Sequence, residues 1–421
     1  MFLLFVGAAG YALVANYNTQ DVIVAVLDSP VAVTHPLLKG KTLDGLDLVH
    51  EHTEKAKEHG THVAGIITKI EPRAKILPIS ILGDQKKQHV LPETAFGIVY
   101  AVLKGADVIN MSFAQDGKDP FTYMALKFAA YKGVTLVAAA GNDGINKLSY
   151  PSKFNDVIAV GAYDESDHTI YEDSNYSKTP IFAAPGVWVR SASPNGNYVE
   201  KSGTSMSAAY VSGMIAHLKE KDPSLTLEEI KKTLKKASNL VYNKRSRMLA
   251  LDMEKLNALE TGKPYVWISG YQNYTDQPSQ TLSLQTLNIQ KTLLRDSYGE
   301  KNIPNQGKIH LELREGVTFY ELVLTDKKGN IQTKDISYVF DDRKPQLTVK
   351  RVRLGGEPAL KVKVDSWTIK TVSLANIQWK VKTVGTQYHT FYFFIDPAEK
   401  RYKITAKNYV GQKTTFNYLL N

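Results

Sequence analysis

Short unbroken aliphatic runs recur through the first 260 residues: Asp21–Asp28 (DVIVAVLD), Ala106–Ser112 (ADVINMS), Val134–Ala140 (VTLVAAA) and Asp156–Ala162 (DVIAVGA). A strand wetted on one face would alternate apolar and polar residues. A continuous run predicts a strand covered on both faces, as in a parallel sheet. Between these runs, Pro92–Lys104 and Pro120–Lys132 read as helices. Strands that alternate with helices predict an α/β fold, a parallel sheet with helices on both faces. Thr226 and Glu229 have capping-box spacing ahead of IKKTLKKASNLV, so a helix closes the region.

Beyond about residue 262 the period changes to two, as in Ala359–Val364 (ALKVKV), with turn signals at Lys328-Gly-Asn330 and Val410-Gly411. A weak repeat aligns Phe319–Thr333 with Arg401–Thr415, each an alternating strand, a glycine turn and a threonine. The spacing predicts two small β-sandwich modules of Ig-like type, with one larger sandwich as the alternative. The expected organisation is therefore 16–262 for the α/β domain, 263–342 for the first β module and 343–421 for the second. Residues 2–15 (FLLFVGAAGYALVA) have signal-peptide length, yet no Lys or Arg precedes Lys39. They read either as a signal or its remnant, or as a buried first element.

At 421 residues the chain is long enough for two or three domains. No apolar run approaches the roughly 18 residues of a membrane span. With no cysteine, disulfides, thiolate metal sites and thiol nucleophiles are excluded together. The net charge of +10 is concentrated at the end: residues 343–421 hold fifteen basic and four acidic residues. Interleaved with Trp367, Trp379, Tyr388, Tyr392 and Tyr402, that balance suits an anionic surface or polymer. It equally suits a solvated basic β surface. No sequence-reading nucleic-acid motif is present.

In an open parallel sheet, ligands gather outside the carboxyl ends of the strands. Asp28 ends the first run, where a carboxylate can orient an imidazole or simply form a turn. His59-Gly-Thr-His62-Val-Ala-Gly65 opens a helical stretch; His59 could be held over the sheet edge, with His62 structural. His50, His52, His59 and His62 together also suggest a metal, but they lack HExxH spacing and a placed acidic ligand. Asn142, in Ala138-Ala-Ala-Gly-Asn142, can donate to a developing oxyanion, or form a turn with Asp143-Gly144. Ser205, in Ser202-Gly-Thr-Ser-Met-Ser-Ala-Ala, stands where a small-residue helix begins. Free N–H groups and the helix dipole favour negative charge there. The order Asp, His, Ser and the absence of G-x-S-x-G exclude an α/β-hydrolase elbow.

Taken together, VAVLDS, HGTHVAG, GADVINMS, VAAAGN, VIAVGA, APG and SGTSM closely resemble the subtilisin-like (subtilase) serine peptidases over roughly residues 20–255. The resemblance implies Asp28 as orienting acid, His59 as general base, Ser205 as nucleophile and Asn142 as oxyanion donor. It implies substrate pairing along Ser112, Phe113 and Ala114, a pocket walled by Ala139, Ala140 and Gly141, and Ser149 near its base. The chain departs from the family with Pro30 where Asp-Ser-Gly is usual, and with Phe113-Ala114-Gln115 where Leu-Gly-Gly is usual. It also has Ala209 where proline is usual. None of these removes a reacting group. Ile66–Ile76 lacks the family's calcium loop, so no metal or other cofactor is expected. Nor is a folding propeptide expected between residues 2–15 and the catalytic region, so that folding is unassisted or the sequence starts late. The expected function is a serine endopeptidase acting on proteins or peptides outside the cytoplasm, whether secreted, periplasmic or at the cell surface. The alternatives are a catalytically silent adhesin carried by its β modules and a sedolisin-type acid peptidase, against which His59 argues.

Overall fold

The structure is a computed structural model. It describes residues 21–419 apart from 51–52, 84–90, 116, 167, 271–273, 356, 375–376, 381–386, 397–398 and 400. The expectation for residues 2–15 and the candidate His52 therefore lie outside the described residues. The chain divides into two compact units, the first ending at Glu260 and the second spanning Thr261–Asn421.

The first unit is built on strands β1 (Ile23–Asp28), β2 (Leu46–Asp47), β3 (Lys75–Ser80), β4 (Val108–Met111), β5 (Thr135–Ala139) and β6 (Val157–Asp164). They run parallel in the order β2-β3-β1-β4-β5-β6. Strands β7 (Thr169–Ile170), β8 (Phe182–Pro185), β11 (Ser238–Tyr242) and β12 (Arg247–Leu251) extend this sheet beyond β6. β9 (Val189–Ala192) and β10 (Tyr198–Lys201) form a separate hairpin. Among the described residues six helices cover the sheet: α1 (Glu54–Ile70), α2 (Leu91–Leu103), α3 (Pro120–Tyr131), α4 (Thr204–Lys221), α5 (Leu227–Lys236) and α6 (Met253–Thr261).

Every residue of β1 is buried, and its side chains divide between two cores. Val24 and Val26 pack with Val63, Ile67, Val211 and Met214 of α1 and α4. Ala25 and Leu27 pack with Ile98 and Leu126 of α2 and α3. The unbroken aliphatic runs are thus the sheet's sandwiched middle layer, where full burial of each large side chain contributes about 1.5–3 kcal/mol. The small residues of α4 let it lie close to α1; a Cβ on Gly213 would sit 2.7 Å from the Cβ of Ile70.

Local chemistry sets the helix starts. Thr53 caps α1 by accepting from Ala56 N–H, and Asp119 caps α3 ahead of Pro120. Thr226 and Glu229 form a complete capping box on α5. From β1 the chain runs through α1 to β3 on one side, then returns through α2 to β4 on the other. The strand order reverses between β1 and β4, so a ligand crevice is expected at their carboxyl ends.

The second unit contains two sandwiches. In the first, Val266, Leu282, Leu284 and Ile309 of a three-stranded sheet meet Leu294, Leu322 and Ile336 of a five-stranded one. In the second, Leu360, Val362 and Phe393 of a three-stranded sheet meet Val372, Ile404 and Ala406 of a four-stranded one. The repeated segments are two hairpins, Gly316–Thr325 with Ile331–Phe340 and Arg401–Asn408 with Lys413–Leu419. Their turns match. Asp326 N–H donates to Asn330 O and Asn408 N–H to Gln412 O, both at 3.0 Å, around Gly329 (φ +85°) and Gly411 (φ +94°).

Candidate active site

Asp28 is the last residue of β1 and is fully buried, while His59 stands on the second turn of α1. His59 Nδ1 donates to Asp28 Oδ1 at 2.7 Å. Backbone contacts fix this meeting. Gly60 N–H donates to Ser29 Oγ, and Ala32 N–H to Thr61 Oγ1, both at 2.9 Å. A side chain at 60 would not fit, because its Cβ would lie 2.1 Å from Ser29 O. Pro30 is compatible with this approach and is itself buried. Burial alone would lower the His59 pKa, but the charge and hydrogen bond of Asp28 outweigh it and leave the imidazole raised above 6.5. Lys201 opposes that rise and Glu58 supports it; the two form an ion pair at 2.8 Å.

Ser205 is the second residue of α4 and is buried. Its Oγ donates to Ser112 O at 3.0 Å, and Ser112 Oγ donates back to Ser205 O at 2.9 Å. Ser112 follows β4 and lines a cavity of about 270 Å³ together with Asp28 and His59. The acid, imidazole and hydroxyl therefore gather at the β1/β4 reversal. The hydrogen-bonded line is incomplete in this conformation: Asp28 reaches His59, but Ser205 Oγ is turned to Ser112 O, and His59 Nε2 has no partner among the described residues.

Asn142 stands beyond the carboxyl end of β5. Thr204 N–H and Thr204 Oγ both donate to Asn142 Oδ1, at 2.9 and 3.0 Å. Because a backbone N–H can only donate, the atom facing Thr204 is the amide oxygen, and the side-chain NH₂ is left unspent. The Ser205 N–H, at the start of its helix, also has no acceptor among the described residues. Among the described residues, the Ser205 N–H and the Asn142 NH₂, whose amide oxygen is held by Thr204, are thus both left as donors at the start of α4.

Ala139 ends β5, and Ala140 O accepts from Ser149 N–H at 3.1 Å. Gly141 has φ +108°, and a Cβ there would lie 2.7 Å from Ser149 Oγ, so only glycine fits between them. Gln115 and Tyr150 exchange backbone hydrogen bonds at 2.9 and 3.0 Å, which draws the Ser112–Ala114 segment alongside Ser149. The peptide groups of Phe113 and Ala114 make no backbone hydrogen bond among the described residues.

The histidines divide by role. His62 is fully buried and donates from Nε2 to Val189 O and Val199 O at 3.0 and 3.1 Å. Burial lowers its pKa to about 4, so it is neutral near pH 7. His50 is exposed, 3.9 Å from Asp47. Among the described residues no three His or carboxylate side chains converge as metal ligands.

Asn110 is a residue that the sequence reading missed. It is fully buried, donates to Ser112 Oγ at 2.9 Å and accepts from Ser212 Oγ at 3.0 Å. An amide inside the aliphatic run VINM was the available signal, since buried polar groups need partners.

The model of the subtilase family matches residues 19–261. A thermophilic serine proteinase of Bacillus sp. (strain AK1) is 37% identical over 207 residues, 46% of this chain and 51% of that protein. The cell wall-associated protease of Bacillus subtilis (strain 168) is 38% identical over 243 residues, 54% of this chain and 27% of that protein. The chain thus spans about half the length of one relative and about a quarter of the other. Among solved structures, the protease domain of PatA, a serine-to-alanine mutant, superposes with a TM-score of 0.51 at 30% identity. The match covers 57% of this chain and 96% of that one.

Proposed function

The chain belongs to the subtilase family, and from that premise we propose that it is a serine endopeptidase acting through an acyl-enzyme on Ser205. Rotation about the Ser205 Cα–Cβ bond turns Oγ from Ser112 O toward His59 Nε2, a hydrogen bond that resting enzymes often lack. His59 takes the hydroxyl proton as Oγ attacks the peptide carbonyl carbon, and Asp28 stabilises the resulting imidazolium. The carbonyl electron pair moves to oxygen, where Asn142 Nδ2 and Ser205 N–H receive it. His59 then protonates the departing amine, and a water, deprotonated by the same imidazole, hydrolyses the ester. No cofactor enters this scheme, and we expect no calcium at the connection between α1 and β3. Substrate would lie along the unpaired Phe113–Ala114 main chain, with its side chain against Ala139, Ala140, Gly141 and Ser149.

The gathering of the Asp28–His59 pair and the Ser205 hydroxyl around Ser112, with donors left at the start of α4, carries this reading. A serine-directed fluorophosphonate should label the wild-type chain, and Ser205→Ala should remove the label. Ser205→Ala should also lower peptide hydrolysis by several orders of magnitude. An unlabelled but folded wild type would favour a silent binding protein.

We further propose that the β modules are Ig-like. The second divides its strands three and four between its sheets, as constant-type Ig domains do. The +11 balance of residues 343–421 suits an anionic polymer or surface, with Lys407 and Lys413 directly opposed on neighbouring strands. We place the protein outside the cytoplasm, secreted, periplasmic or at the cell surface. The cell wall-associated relative and the apolar stretch 2–15 support that location. No helix among the described residues is long and apolar enough to cross a membrane.

A further inference from the structure

We infer that the outward face of α3, with the lysines around it, docks the first unit on an anionic lipid surface. The helix reads PFTYMALKFAAY, with Lys127 its one charged residue. Thr122, Ala125, Leu126 and Ala129 face the core. The opposite side should be polar in a surface helix. Instead Phe121 is 54% exposed, Met124 56% and Tyr131 84%, with Phe128 half-buried between them. Steps of three, four and three residues align these side chains as one stripe.

Cations frame the stripe. Lys118 precedes the helix, with Nζ 4.5 Å from the Tyr123 ring centroid, and Lys132 follows it, 5.9 Å from those of Phe128 and Tyr131. Lys153 lies 5.5 Å from the Tyr150 ring, which contacts Phe154, and Phe154 in turn contacts Tyr123. Of the acids described nearby, Asp156 pairs with Lys127 of the helix at 2.6 Å, and Asp119 is buried as the cap of α3. Lys118, Lys132 and Lys153 make no ion pair among the described residues. An apolar stripe ringed by lysines is the composition of a helix that lies in a membrane interface. The side chains of the stripe enter the acyl boundary, and the lysine stems carry their charges to the headgroups. A soluble polyanion would leave the stripe wet, and a second copy of this face would set lysine against lysine. Because α3 covers the sheet face opposite α1 and α4, docking leaves the helices of His59 and Ser205 on the solvent side.

Sedimentation of the full chain with vesicles tests this. Binding to phosphatidylglycerol–phosphatidylcholine vesicles should exceed binding to pure phosphatidylcholine at least tenfold. Combined Phe121→Ser, Met124→Ser and Tyr131→Ser should lower the anionic-vesicle partition at least tenfold with an unchanged melting temperature. These changes leave every charge in place, so the loss could not be assigned to the basic tail. Should the triple variant fail to fold, Tyr131→Ser alone, at a mostly exposed position, should still lower the partition measurably. Wild-type binding by the variants, or equal binding to neutral vesicles, overturns the inference. So does self-association abolished by the triple variant in a protein that ignores vesicles.

Discussion

His59 is held between burial, which disfavours its charge, and Asp28, which favours it by more. The balance fixes a sign. A base must be neutral to accept the Ser205 proton, so kcat/KM should rise with pH through an apparent pKa above 6.5. Asp28→Asn removes the favourable influence and leaves burial, so the acid limb should move below 6.5. The same change should lower kcat about 10⁴-fold through loss of the orienting acceptor. A pH–rate profile checks both, and an unmoved limb would detach Asp28 from His59 in function. Asp28, His59 and Ser205, which the fold brings to one crevice, stood out in the sequence because each sits in a short local signature. Asn110 and the hold of Thr204 on Asn142 did not. The Ser212–Asn110 and Thr204–Asn142 hydrogen bonds join residues 102 and 62 positions apart, and an amide inside VINM signals a need for partners without naming them.

At the scale of elements, the geometry depends on how closely α1 approaches the end of β1. Gly60 allows it, and Gly60→Ala would drive a methyl into the Ser29 carbonyl. The helix would have to shift, at a cost of about 1–3 kcal/mol, and carry His59 away from Asp28. Denaturant unfolding together with kcat should report both losses, and a variant with wild-type kcat would show that the contact can relax without moving the imidazole. Element type was readable because burial on both faces writes an unbroken aliphatic run. The predicted helices over 92–104 and 120–132 lie within a residue or two of α2 and α3. The hairpin of β9 and β10 left no such trace, since its short, partly buried strands carry mixed residues and draw their order from His62 and Ser191 contacts.

Across the whole molecule, a change of hydrophobic period marked where helices give way to β-sandwiches, and the repeated glycine turns marked two hairpins with matching turns. The first unit ends at Glu260, on a helix whose side chains tie it back to the domain. His217 Nε2 lies 3.3 Å from Glu260 Oε2, with Lys221 on the same carboxylate, while His217 Nδ1 lies 2.9 Å from Glu71 at the rear of α1. Burial would raise the Glu260 pKa, but Lys221 and His217 hold it below its ordinary value. Leu256 on the same helix is almost completely buried. A chain stopped after Leu251 would keep every sheet strand yet melt several degrees below one stopped after Thr261, as calorimetry would show. The helix that carries Ser205 is thereby latched at its far end, so the first unit closes on a clasp behind the candidate site and not on the last strand of its sheet.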